Sequence, residues 1–136
     1  MMAAPFSILA DRTQIKIGWK APTDDGFSTV VGYRLYWNGG GSSNLIDTPL
    51  YDTASDSIFS YTLTTPQITT GSQYSFAVAA YNSVSTSAKS NIIQVIAALV
   101  PGQPSSVTRT SSAKTAVTFS WIAPDDGGSP ITSYIV

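Results

Sequence analysis

The stretch Ile15-Lys16-Ile17-Gly18-Trp19-Lys20-Ala21-Pro22 returns later in the chain as Val117-Thr118-Phe119-Ser120-Trp121-Ile122-Ala123-Pro124. Each copy runs into an acidic glycine turn, Thr23-Asp24-Asp25-Gly26 in the first and Asp125-Asp126-Gly127-Gly128 in the second. Each then enters an apolar run with a tyrosine, Val30-Val31-Gly32-Tyr33-Arg34-Leu35 and Pro130-Ile131-Thr132-Ser133-Tyr134-Ile135. An ordered repeat of this kind means that one structural unit is used twice. The separation of Trp19 from Trp121 suits a unit of about 100 residues, the size of a small β-sandwich.

Within the copies the residues alternate with period two. Ile15, Ile17 and Trp19 fall on one face, and Lys16, Gly18 and Lys20 on the other. Tyr33, Leu35 and Trp37 oppose Arg34 and Tyr36; Tyr74, Phe76, Val78 and Ala80 oppose Ser75, Ala77, Ala79 and Tyr81. This is the signature of antiparallel strands with one buried face. It predicts strands near Phe6–Leu9, at Gln14–Lys20, at Val31–Trp37, a short one near Asn44–Asp47, then Phe59–Thr64, Gln73–Tyr81 and Asn91–Ile96. Turn residues separate them, with Asn38-Gly39-Gly40-Gly41 closing a hairpin. The fold class is therefore all-β, a seven-stranded antiparallel two-layer sandwich followed by an incomplete second copy. The expected domains are 1–99 and 105–136, joined by a linker over 100–104 whose Pro101 and Pro104 favour extended backbone.

Composition narrows the function. Only 11% of residues are charged, against about 25% in an average soluble domain. The 20 Ser and 16 Thr must supply much of the polar surface. The seven basic residues are scattered and the net charge is −1, so no basic stripe exists to meet a phosphate backbone and nucleic acid is excluded as a partner. With no Cys and no His, thiolate and imidazole metal sites are excluded, and no imidazole is present to activate a Ser or Thr nucleophile. The run Ile92–Val100 is too short to span a bilayer, so no membrane insertion is expected within this chain. Met1–Ala10 has neither the basic start nor the long apolar stretch of a signal peptide. No Asn stands in a glycosylation sequon.

Several segments together give the first copy a family resemblance. Trp19 ends a strand and is followed by Pro22; Gly32-Tyr33-Arg34-Leu35-Tyr36-Trp37 forms the next one. Ile68-Thr69-Thr70-Gly71-Ser72-Gln73-Tyr74 reads as a tyrosine corner, running into Tyr74-Ser75-Phe76-Ala77-Val78-Ala79-Ala80-Tyr81-Asn82, and Ser90 precedes a last apolar strand. Over roughly Ala4 to Ala97 this ordered set resembles a fibronectin type III domain, and Pro104 to Val136 resembles the opening strands A to C of another. The usual Pro before the corner glycine is replaced here by Thr70. The resemblance implies an immunoglobulin-like sandwich that serves as a non-catalytic spacer and protein-interaction surface of adhesion, receptor or scaffold type. It also fits an accessory module of a secreted enzyme, or a repeat of an intracellular filament or ciliary scaffold. Neighbouring repeats of the same chain and a protein partner are the expected contacts; no cofactor is expected.

The candidate residues follow. Ile17, Trp19, Tyr33, Leu35, Ile68, Tyr74, Phe76 and Val78 are expected to form the core. Arg34, Tyr36 and Tyr81, with Ala77 and Ala79 between them, are expected on a flat solvent face suited to a partner, since Tyr and Arg are typical interface anchors. The Asp24-Asp25 and Asp125-Asp126 pairs read as turns, in which Asp bonds local backbone and Gly accepts positive φ; two adjacent carboxylates cannot supply the 6–8 oxygens of a calcium site. Gly39-Gly40-Gly41 lacks the Lys and the helix of a phosphate cradle. In the second copy, Val107, Val117, Phe119, Trp121, Ile131 and Tyr134 are expected to lack an opposing sheet, so residues after Pro104 should be less protected than the first domain.

Overall fold

The computed structural model describes residues 2–41 and 46–136. The chain forms two compact units, Met1–Ala98 and Leu99–Val136. All the regular structure among the described residues is β.

The first unit holds strands β1 (Phe6–Ala10), β2 (Gln14–Gly18), β3 (Gly32–Trp37), β4 (Thr48–Thr53), β5 (Ser60–Thr64), β6 (Gln73–Tyr81) and β7 (Ile93–Ile96). They pair antiparallel into a three-stranded sheet, β1-β2-β5, and a four-stranded sheet, β4-β3-β6-β7. The alternation along β2 and β3 sets the register of this sandwich. Ile15 and Ile17 point inward opposite Leu63 and Tyr61, while Tyr33 and Leu35 point inward opposite Ala80 and Val78. A one-residue slip would turn every one of these side chains out to water, so the register is strongly specified.

The core joins Ile15, Ile17 and Trp19 from one layer to Tyr33, Leu35, Tyr74, Phe76 and Val78 from the other, with Leu63 and Ile68 filling between them. All are less than 5% exposed. Aromatic rings carry much of this interior: Trp19 lies 6.0 Å from Tyr33, Tyr33 lies 5.5 Å from Phe59, and Trp37 stacks on Tyr74 at 6.1 Å. Such pairs add about 0.5–1.5 kcal/mol each beyond the area they bury. The indole nitrogen of Trp19 is buried with no hydrogen-bond partner among the described residues.

The tyrosine corner is formed as a hydrogen bond: the Thr69 N–H donates to Tyr74 Oη at 2.7 Å. The outgoing chain is fixed at the same corner, where the Gly71 N–H donates to Ala97 O and the Ala97 N–H to Ser72 O. Beyond the reach of β7, the second half of β6 is completed by the segment before it. The Val78 and Ala80 N–H groups donate to the hydroxyls of Ser90 and Ser87, whose own N–H groups donate back to Val78 O and Ala80 O. Serine hydroxyls thus stand in for ladder carbonyls where β7 has not yet begun.

The strand expected near Asn44–Asp47 falls in part outside the described residues. Asn44 lies outside the described residues, Ile46 and Asp47 are not in a strand, and β4 begins at Thr48. It tolerates Pro49 because it is an edge strand with only β3 beside it.

The second unit contains β8 (Ser105–Ser112) and β9 (Val117–Ile122), paired antiparallel. Trp121 packs at 5.2 Å against Tyr134. Pro104, Val107, Phe119, Trp121, Tyr134 and Ile135 line an apolar cleft of about 230 Å³. The third strand expected at Pro130–Ile135 is not formed. Its counterpart in the first unit, β3, takes its ladder bonds from β4 and β6, and among the described residues of the second unit no strand offers Ile131–Ile135 an equivalent ladder.

Candidate interaction surface

Arg34 and Tyr36 on β3 face away from the core, beside Ala79 and Ala77 of β6. Arg34 donates from Nε and Nη2 to Asp52 Oδ2, at 2.8 and 2.6 Å, and its guanidinium lies 5.5 Å from the centre of the Tyr81 ring. Tyr81 Oη donates to Thr53 O at 2.7 Å. Tyr81 also holds its phenol proton more tightly than an ordinary tyrosine: the neighbouring Asp52 carboxylate is the main cause and burial adds to it, while the nearby Arg34 charge opposes both. Arg34, Asp52 and Tyr81 therefore form one fixed, partly exposed group with both signs of charge.

Tyr36 does not belong to an open face. It is 9% exposed and forms a second small cluster with Ile46, Ala77 and Ala79, all buried. The Lys89 ammonium sits 4.5 Å above the Tyr36 ring, donates to Asp47 Oδ1 at 2.6 Å and to Ile46 O at 3.0 Å. Ile46, just before β4, and Lys89, in the segment before β7, thus close over Tyr36, because the two alanines leave a shallow trough that an isoleucine and a lysine stem can fill. Alternation gave the correct outward direction for Tyr36 but not this cover.

A second surface was not singled out from sequence. The Asp24 and Asp25 carboxylates each accept the N–H two residues on, from Gly26 at 2.9 Å and Phe27 at 3.0 Å. Gly26 and Phe27 both take positive φ, 69° and 62°. The Phe27 side chain is fully exposed, in a conformation that costs a non-glycine residue about 1 kcal/mol or more. Asn82 ties this turn to the one after β6: its Nδ2 donates to Asp25 O and Ser28 O, and its Oδ1 accepts the Val84 and Ser85 N–H groups. Between the two turns lies a cleft of about 290 Å³, bordered by Asp24–Gly26, Met2, Tyr81 and Val84–Ser87. The glycine and the doubled aspartate were the legible signals; the link through Asn82 has no local pattern.

Among the described residues, no three His, Cys, Asp or Glu side chains are grouped to hold a metal ion. No described helix is long and apolar enough to cross a membrane. These surfaces present a mixed-charge patch at Arg34, Asp52 and Tyr81 and an exposed aromatic at Phe27.

Comparison with known proteins agrees with this geometry. The family model for the fibronectin type III domain matches residues 5–96. Human Myomesin-2 is 31% identical over 141 residues, a match covering 97% of this chain and so both units. The chain spans only 9% of the length of that relative. A fibronectin type III domain of human fibronectin type III domain containing protein 3 matches with TM-score 0.55 and 26% identity, over 71% of this chain and 83% of that one. Domains A168–A170 of titin match with TM-score 0.58 and 17% identity, over 71% of this chain and 32% of that one, a likeness of fold. The chain belongs to the fibronectin type III family and is, in its first unit, one of that family's β-sandwich modules.

Proposed function

We propose that this chain is a non-catalytic stretch of a tandem array, working as spacer and protein-interaction surface within a larger multidomain protein. The second unit is, on this reading, the opening part of another fibronectin type III module, following the first through the segment 100–104. One observation carries the proposal: the repeat holds at the level of single hydrogen bonds. The bonds from Gly26 and Phe27 to Asp24 and Asp25 recur as bonds from Gly127 and Gly128 to Asp125 and Asp126, at 2.7 and 2.8 Å. The small share of Myomesin-2 that the chain spans supports a place within a longer protein. Arg34 and Tyr81 are the residues of the four-stranded sheet offered to a partner, with Tyr36 on the same face of β3 covered by Ile46 and Lys89.

Amide hydrogen exchange on the chain tests this. In a completed sandwich Trp121 would be covered as Trp19 is, whereas Phe119 is 47% exposed and Ile17 fully buried. Exchange at β9 is expected to be at least about a hundredfold faster than at β2, given that protection tracks local opening. Equal protection at Trp19 and Trp121 would remove the incomplete-module reading.

A further inference from the structure

β4 is an edge of the four-stranded sheet and β5 an edge of the three-stranded one. The register aims one tyrosine of each strand inward. Tyr51 of β4 stands opposite Leu35, and Tyr61 of β5 stands opposite Ile17. Leu35 and Ile17 are both core residues. Side chains directly opposite each other on paired strands share a face of the sheet, so the two tyrosines enter the gap between the layers from opposite sides. They meet there, with ring centres 4.3 Å apart and planes 26° from parallel.

Of the ring contacts among the described residues, this one is the shortest, and it alone joins two tyrosines. Both residues are half-buried and pack against the core from its rim. The other tyrosines of the first unit are placed differently. Tyr33 and Tyr74 are sealed in the core, Tyr36 lies under the Lys89 ammonium, and Tyr81 donates its hydroxyl hydrogen to Thr53 O. Tyr51 and Tyr61 thus combine ring contact with access from solvent. The ladders to β3 and β2 hold the two backbone positions, so both sheets maintain the contact.

We propose that Tyr51 and Tyr61 are a site of oxidative cross-linking, joined into a dityrosine by hydrogen peroxide acting through a haem peroxidase. Each phenol gives up one electron and one proton and becomes a phenoxyl radical, whose unpaired electron is shared with its Cε carbons. Two such radicals in contact form a carbon–carbon bond between a Cε of one ring and a Cε of the other. The joined carbons then release their hydrogens as protons while the two oxygens each take one up, which restores both phenols. The chain loses two hydrogen atoms in all. One hydrogen peroxide accepts those two electrons and two protons and becomes two waters. Groups already held in contact react far faster than groups that must first meet by diffusion. The product is a covalent staple between the two layers that closes the β4–β5 connection into a ring. The proposal does not depend on the tandem-module reading.

The test treats the full chain, at micromolar concentration, with hydrogen peroxide and a haem peroxidase. The main product is expected to be a monomer lighter by two hydrogens, with the blue fluorescence of a biphenol. Cleavage before Asp52 and Asp56 should leave the peptides that carry Tyr51 and Tyr61 joined. Tyr51→Phe and Tyr61→Phe keep a ring in place, and each should lower the yield of joined monomer about tenfold, because the remaining tyrosines lack so high an effective concentration. Tyr134→Phe should leave the yield unchanged. The joined chain should also unfold at a higher urea concentration, since the staple restricts the unfolded chain. A bond mapped to other tyrosines overturns the proposal, as do covalent dimers as the main product or an undiminished yield in either Tyr51→Phe or Tyr61→Phe. An unchanged urea midpoint overturns the stapling of the two layers.

Discussion

The Lys89 ammonium rests 4.5 Å above the ring of Tyr36, on the outer face of the four-stranded sheet. This contact turns a tyrosine that alternation assigns to solvent into a buried one. A Lys89→Ala variant removes the cation over the ring, the ion pair with Asp47 and the bond to Ile46 O. Because the pair is partly exposed, the expected loss is about 0.5–1.5 kcal/mol in chemical denaturation. Increased solvent access of Tyr36, read by fluorescence quenching, should accompany it.

Trp19 fills the middle of the core but leaves its indole N–H without a partner. Trp19→Ala is expected to cost about 3–5 kcal/mol. Trp19→Phe should cost much less, under about 2 kcal/mol, because removing an unsatisfied buried donor offsets part of the lost volume. Equilibrium unfolding of the two variants gives the comparison directly; equal costs would contradict it.

Tyr74 Oη accepts the Thr69 N–H at the corner before β6. Tyr74→Phe keeps the ring stacked between Trp37 and Phe76 and removes only the acceptor. The expected destabilisation is about 1–2 kcal/mol, with faster amide exchange at Thr69 and unchanged exchange in β2.

Asp11 accepts hydrogen bonds from the Thr13 N–H, the Thr13 hydroxyl and the Gln14 N–H. The Thr13 backbone bond is the largest of the causes that hold its carboxyl below the ordinary value of 3.8. A depressed carboxylate contributes stability that is present above its unfolded value and is lost as pH falls through the folded one. The Asp11 contribution should therefore persist at neutral pH, begin to fall below about pH 4 and be lost only as pH drops through the lowered value. Titration of the Asp11 carboxyl carbon by NMR is expected to give a midpoint below 3.8, and Asp11→Asn should remove the turn's share of the acid sensitivity.

Much of the first unit was legible because its signals are local. The alternation around Ile17 and Trp19, Tyr33 and Leu35, and Phe76 and Val78 reflects the two-residue period of a pleated chain, and each of these side chains is in the core. β6 keeps the bounds read from its pattern, Gln73–Tyr81. The acidic turns were legible for the same reason, since in them each aspartate accepts the N–H two residues on.

The candidate surface was less legible. Arg34 and Tyr81 are bound to Asp52 and Thr53 of β4, a strand whose place the sequence pattern missed, and Tyr36 is covered by Ile46 and Lys89. No local period records which distant loop will lie over a given strand.

The sequence by itself determined the repeat, the strand character of β2, β3, β5 and β6, and the sides of β2, β3 and β6 that turn inward, because these depend on neighbours along the chain. The tertiary structure alone decided which outward side chains are open and which are covered by a distant segment. Those outcomes depend on contacts closed over long stretches of chain, where the free energy of burying a trough or pairing a carbonyl is settled only once both sides are in place.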